Sequence, residues 1–309
     1  MTDEIAPLGA SEYLCYRLLV ELEASKSSQI SRSKFHRLSC ITDRYLDSEL
    51  GVDIGFPRYW YLYGEVVDEQ SLDGRFYHAP AAKHWNGQRY VPADDVSDWD
   101  FVVDDETKSR IETAVGRTVQ RFERASMEQI KRYQHREHIP NEFVRAYSDL
   151  RSQLKRVDLD EQYTLGDFTP TEKPTVEFVE ASLDAMAETY PREDYPEAYH
   201  LFAEWEETVR LLLDDDPDYA TVEAFLDSFV TMLAKVELRF HHRQHIPDER
   251  IMAWEDERLE VKDEFAGQLA DKRRELLASS RSFNLTGTGN GSDGARRRLV
   301  GSHVRNESR

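Results

Sequence analysis

Four histidines and two arginines have the spacing in this chain that most suggests chemistry. His135 and His138 stand three apart, as do His242 and His245, and each pair belongs to a matching element, HREHIPNE at 135–142 and HRQHIPDE at 242–249. On a helix, residues three apart share a face. Two such pairs could offer four imidazoles to one metal ion, with Glu142 and Glu249 adding carboxylates. The same residues also suit a structural task. Histidine and arginine near a helix C-terminus bond its last carbonyls and, when charged, complement its dipole. The proline that follows ends one helix, and the Asx and Glu after it start the next. Sequence alone leaves these uses open. No cofactor is expected, because the chain has no glycine-rich phosphate loop, no GxSxG elbow and no CxxC pair.

A third use follows from the arginines. Five residues separate Arg132 from His138, and five separate Arg239 from His245. This spacing resembles the Arg-x4–6-His signature of HEPN-type helical ribonucleases. The resemblance implies that the arginine positions or stabilises a phosphate and that the histidine assists attack by a 2′-hydroxyl. It also implies that two copies meet at one interface, which a single chain could assemble from Arg132/His138 and Arg239/His245.

The two elements are offset by 107 residues and agree at six of eight positions. The register extends outward. Val115 pairs with Val222, Phe122 with Phe229, Tyr133 with Phe240, Tyr147 with Trp254 and Arg151 with Arg258. Two repeats, about 105–156 and 212–263, therefore each read as a helix, a proline corner and a second helix. Neither can bury its apolar stripe alone, so the two should pack together.

The elements that position these corners read as mainly α. Helical spacing is expected over 11–24, over 31–48 with Phe35, Leu38, Ile41 and Tyr45 in one stripe, and as one long helix from Asp105 to His138. Further helices are expected at about 141–156, 174–189, 195–214, 217–245 and 248–278, with Pro174, Pro196 and Pro217 near their starts. The aromatic run Tyr59–Tyr63 reads as a strand or a buried loop, and GQRYVP as one side of a small β wing. The fold class expected is thus mainly α, with an N-terminal winged-helix-like α+β module over 1–104. A duplicated helical-hairpin bundle over 105–278 follows, joined internally by a linker at 157–173, and then a disordered tail over 279–309 containing ARRR at 295–298.

Composition sets the surroundings. The chain has 309 residues, 60 Asp+Glu against 40 Lys+Arg and a formal charge of −20. Such a body repels phosphates and makes a poor non-specific nucleic-acid binder. Only ten of the basic residues are lysine. An acidic, lysine-poor chain resembles the proteins of salt-in halophiles, where screening acts within a few Å. Cys15 and Cys40 are the only cysteines, both in apolar helical stretches, and read as buried free thiols. No signal peptide and no apolar run near 18 residues is present, so the expected location is cytoplasmic with no membrane contact.

The basic exceptions point to partners. Arg32, Lys34, His36, Arg37 and Arg44 make helix 31–48 the most basic helical stretch near the N-terminus. In a winged-helix layout it would be the recognition helix, and DNA its partner. Lys34, Phe35, Leu38 and Tyr45, followed by Tyr61-Leu62-Tyr63-Gly64-Glu65-Val66, resemble the "KLqKLlYla" helix and "yGPv" element of Panacea-type antitoxin domains over about residues 11–110. The resemblance implies a mainly helical module that neutralises a toxin or adapts a protein to proteolysis. The function expected is a non-enzymatic regulatory or interaction protein with a protein partner, possible roles being antitoxin-like or defence-associated. The alternatives are a HEPN-like ribonuclease and a DNA-binding transcriptional regulator.

Overall fold

A computed structural model of the chain describes residues 7–25, 30–81, 88–159, 175–213 and 217–286. The architecture is mainly α. Helices α1 (Ala10–Ala24) and α2 (Arg32–Leu50) come first. Ser31 starts α2 by accepting a hydrogen bond from the Lys34 N–H at 3.2 Å, and Gly51 ends it in the left-handed region at φ 65°. The aromatic run then forms a hairpin of β1 (Arg58–Tyr61) and β2 (Gly64–Val67), with Arg58 opposite Val67 and Tyr61 opposite Gly64. Gly64 is needed for close approach, since a Cβ there would run into the Arg37 guanidinium and the Gln134 side chain. β3 (Tyr77–His78) pairs antiparallel with β4 (Val91–Pro92), so the GQRYVP segment does contribute one side of a small strand pair.

The helix expected to run unbroken from Asp105 to His138 is two helices. α3 (Asp105–Phe122) starts at Asp104, whose carboxylate accepts from Thr107 N–H at 2.9 Å. α4 (Met127–His138) starts afresh at Ser126. Ser126 Oγ accepts from Gln129 N–H at 3.2 Å, and Gln129 Oε1 accepts from Ser126 N–H at 2.8 Å. Two orphan amides are satisfied reciprocally, which favours a new start over continuation. α5 (Glu142–Leu159), α6 (Val176–Thr189), α7 (Tyr199–Leu212) and α8 (Tyr219–Leu233) follow, the last three beginning two or three residues after the prolines. α8 runs into a π-turn (Ala234–Leu238) and α9 (Arg239–His241), then β5 (Arg243–Gln244) and α10 (Asp248–Thr286). α10 extends eight residues into the segment read as a tail. Residues 287–309, with the ARRR cluster, lie outside the described residues, as does the linker from residue 160.

The two matched stretches share an order of elements but not a shape. Ile130 in the first corresponds to Glu237 in the second, and the break after Phe122 corresponds to continuous helix leading into the π-turn. The first corner leaves α4 as plain extended backbone at Ile139. The second adds Arg243 and Gln244 to the sheet, opposite Tyr59 and Arg58, giving the order β2-β1-β5.

Apolar side chains gather in two cores. One holds Leu14, Leu18, Phe35, Leu38, Val115 and Ile130, from α1 to α4. The other holds Tyr147, Leu183, Trp205, Phe229 and Phe265, from α5 to α10. The chain therefore changes core at the HREHIP corner and not at 104/105. The hairpin bridges them: Val67 belongs to the first core and Trp60 to the second. Trp60 N–H also donates to the His242 carbonyl at 2.8 Å.

A buried charge network fixes this joint. Arg58 Nε donates to Asp43 at 2.6 Å and its Nη1 to Glu65 at 2.7 Å, while Arg44 grips Glu65 at 2.6 and 2.7 Å. Arg58, Asp43 and Glu65 are all buried. Burial opposes the Arg58 charge, but Glu65 and Asp43 outweigh it and its pKa is raised. Removing one partner of such a set strands a buried charge. Arg58→Met is expected to cost about 3–5 kcal/mol in urea unfolding; a loss under about 1 kcal/mol, the level of an exposed pair, would show the network to be dispensable.

Candidate functional site

The structure disperses much of what the sequence grouped. His245 adopts φ 51° and pairs its Nε2 with Asp53 at 3.0 Å, beside a shallow cleft that Ser11 and Pro57 also line. His242 is held against Tyr195, and His138 lies near Arg44 and Glu65. Among the described residues no group of three or more His, Cys, Asp or Glu side chains is placed to hold a metal ion. His135, His138, His242 and His245 therefore do not form one four-imidazole cluster. Nor is either Arg–His pair joined among the described residues by a hydrogen bond or ion pair. Arg132 is exposed and meets Glu128 at 3.3 Å. Arg239 is buried, donating to Glu257 at 2.8 Å and to the Trp254 carbonyl at 3.0 Å.

The basic residues of α2 require a correction. Arg32 pairs with Glu69 at 2.6 Å, and Lys34 donates to the Glu123 carbonyl at 3.3 Å. His36 Nδ1 accepts from Val67 N–H at 3.1 Å, Arg37 donates to Gln134, and Arg44 is committed to Glu65. Lys34 and His36 are buried. The helix turns Lys34, His36, Arg37 and Arg44 onto the protein itself, because groups remote in sequence offer them partners. Of the five, only Arg32 is exposed.

The corners do converge, through a residue outside both. Asn141 of the first corner donates to the Tyr195 hydroxyl at 2.7 Å, and the same hydroxyl is hydrogen-bonded to His242 of the second. Burial, then the nearby charge of His241, pushes the His242 pKa down to about 4. Burial, then Arg44, pushes His138 down to about 4 as well. Both imidazoles are thus neutral near pH 7. His138 Nε2 is buried with no hydrogen-bond partner among the described residues. Next to this junction the π-turn aims Glu237 inward, where it accepts from Ala198 N–H at 2.9 Å and Arg258 at 3.1 Å. Burial outweighs these contacts and raises its pKa to about 7. π-turns often mark functional positions, but these partners serve to tie the π-turn to α7 and α10.

The feature that the sequence reading missed lies at the α3–α4 elbow. Arg121, Arg124, Arg132 and Arg136 line an open groove of about 670 Å³, together with Phe122 and Tyr133 and without a carboxylate in its walls. Arg121 stacks on the Tyr133 ring at 4.3 Å and has no carboxylate partner among the described residues. Arg124, Arg132 and Arg136 meet only glutamates at 3.3, 3.3 and 2.7 Å on exposed surface. Such pairs are worth little and exchange readily. A second cleft of about 200 Å³ adjoins the groove and shares Arg121, Phe122 and Tyr133 with it; Arg44, Arg117, His138, Glu49 and Glu137 are among its other walls. The signal was present in sequence as Arg117, Arg121 and Arg124 at i, i+4 and i+7, with Arg132 and Arg136 four apart beyond them. The groove itself depends on the elbow that brings the two runs together.

No family model matches the chain, and neither a curated protein nor a solved structure matches it.

The junction has a pH consequence. The unfolded chain takes up a proton on His242 below its ordinary value of 6.5, whereas the folded protein resists until about 4. The stability that the neutral ring supplies is complete above 6.5 and is lost as the pH falls toward 4. His242→Gln should therefore flatten the decline of Tm between those values, followed by calorimetry beside the parent protein. Parallel curves would remove His242 from the account.

Proposed function

We propose that this is a non-enzymatic regulatory or interaction protein that engages single-stranded nucleic acid through the arginine groove at the α3–α4 elbow. The single observation that carries the reading is the groove lining: Arg121, Arg124, Arg132 and Arg136 around Phe122 and Tyr133, with no acidic wall, in a chain of charge −20. Single strands are bound by cationic surfaces that track the backbone and by aromatic rings that stack on bases. The acidic remainder repels phosphates and leaves the groove as the place where they are tolerated. The lysine-poor, acidic composition supports a salt-rich cytoplasm as the setting. The order α1, α2 and the β1–β2 hairpin supports reading the N-terminal part as winged-helix-like, with β3 and β4 in the place of a wing, but the binding element proposed is the groove and not α2. The likeness of residues 11–110 to Panacea-type modules supports an antitoxin-like or defence-associated role. The matched stretches 105–156 and 212–263 support a duplicated hairpin origin for the rest.

One observation favours a second reading. Arg132 and His138 line adjoining clefts that share Arg121 and Tyr133, and His138 Nε2 is unpartnered among the described residues. A ribonuclease built on this pair alone would need no contribution from Arg239 or His245.

Fluorescence anisotropy with a labelled RNA of ten nucleotides or so tests both. Binding should weaken linearly in log–log salt plots with a slope of about −2 to −3, as expected when three or four phosphates are neutralised. Arg121→Glu with Arg132→Glu should weaken it about 100-fold or more. Equal affinity of the double variant would overturn the groove. Cleavage of the RNA that is lost in His138→Ala would replace the binding reading with the ribonuclease one.

A further inference from the structure

We infer that the inner cleft between α2, α3 and α4 is a subsite for a terminal phosphate monoester of the bound strand. The inference rests on the groove reading, because the cleft opens beside the groove and shares three of its walls.

Three donors in the walls of this cleft are not spent on other described residues. Arg44 uses Nε and Nη2 on Glu65, which leaves Nη1 over. Arg121 has its guanidinium plane on Tyr133 and no carboxylate partner among the described residues. His138 Nε2 is buried without a partner among the described residues. A buried polar atom left unpaired costs free energy, so an atom of this kind beside two guanidinium groups points to an acceptor that completes it. Arg117 adds a third cation, stacked on the Tyr45 ring at 4.0 Å. The cleft also has two carboxylates, Glu49 and Glu137, which meet Arg117 at 2.8 Å and Arg136 at 2.7 Å in exposed pairs.

Size and charge choose the ligand. At about 200 Å³ the cleft lies below the roughly 300 Å³ at which sites for whole small molecules begin. Its floor is closed by the buried side chains of Ile41, Thr118 and Phe122. A strand cannot pass through it, but the end of a strand can enter. A monoester offers three unesterified oxygens and a charge near −2, while an internal diester offers two and −1. Three unspent donors, among them the planar fork of Arg121, match the former. The neutral state of His138 is compatible with this role, because one tautomer presents Nε2–H as a donor without a charge to be buried.

The test uses the full chain and DNA strands of one sequence, which no 2′-hydroxyl chemistry can cleave. They carry a 5′-phosphate, a 3′-phosphate or hydroxyls at both ends. One phosphorylated end should bind about tenfold more tightly than the hydroxyl strand, the increment of one charge-assisted set. The arm that shows it identifies the end. His138→Phe should bring the ratio of phosphorylated to hydroxyl affinity close to one. The first comparison needs no variant, so a folding defect in His138→Phe leaves the inference exposed to refutation. If all three strands bind alike, the subsite is refuted and the groove stands. If none binds while the protein is folded, the groove reading fails and this inference fails with it.

Discussion

Arg58 is a guanidinium group that the fold has taken out of water, and most of the architecture follows from having to match it. Its two partners come from different elements, Asp43 from α2 and Glu65 from β2. Meeting both fixes the hairpin against the helix with little freedom to slide, since a shift of one residue would turn a buried charge away from its counterion. Once β1 is placed, its second edge is available, and β5 takes it. The N-terminal half thus dictates where the second HRxHIP corner must lie. Arg250 on α10 repeats the device from the other side, gripping buried Asp68 at 3.0 and 3.1 Å. The two apolar cores are joined less by shared oil than by matched ions and a three-stranded sheet.

How much of this was legible in sequence depends on the range over which each feature is decided. Helix positions were readable because apolar spacing is local: α1, α2 and α6 lie close to the expected ranges 11–24, 31–48 and 174–189, whereas the helix expected over 217–245 stops at Leu233. The elbow at Ser126 was also local, as S-x-x-Q, but the strong stripe on either side masked it. The π-turn left no comparable mark. Replacing Ile130 of one stretch by Glu237 in the other was the only trace, and it gains meaning when Ala198 and Arg258 are seen to receive the carboxylate. The basic face of α2 was misjudged for a physical reason. Periodicity shows which residues share a face but not whether that face meets water, and Glu69, Glu123, Glu65 and Gln134 are 21 to 97 residues distant from the groups they satisfy.

The candidate site illustrates the same limit. The histidine pairs were conspicuous in sequence, yet His138 and His242, which occupy unequal places in the two elements, are the ones that feel the Arg44–Glu65 pair. The arginine run was less conspicuous, and its cations gained a common surface only when α4 folded back from α3. In a chain of this charge, a surface becomes distinctive where acids are absent from its walls. Composition alone cannot report that, because a mean over 309 residues has no position.

Tyr195 carries a last consequence. Asn141 Oδ1 accepts from Val144 N–H at 2.9 Å, which fixes which end of its amide faces the tyrosine. Its Nδ2 therefore donates to the hydroxyl, and the one hydroxyl hydrogen is free to point only onward, to His242 Nε2. The ring proton of His242 must then sit on Nδ1. A helix cap in the first corner thereby sets the tautomer of a histidine in the second, 101 residues further along the chain. The two corners are joined by a one-way relay of hydrogen-bond polarity, so turning a single amide over would reverse its sense from end to end.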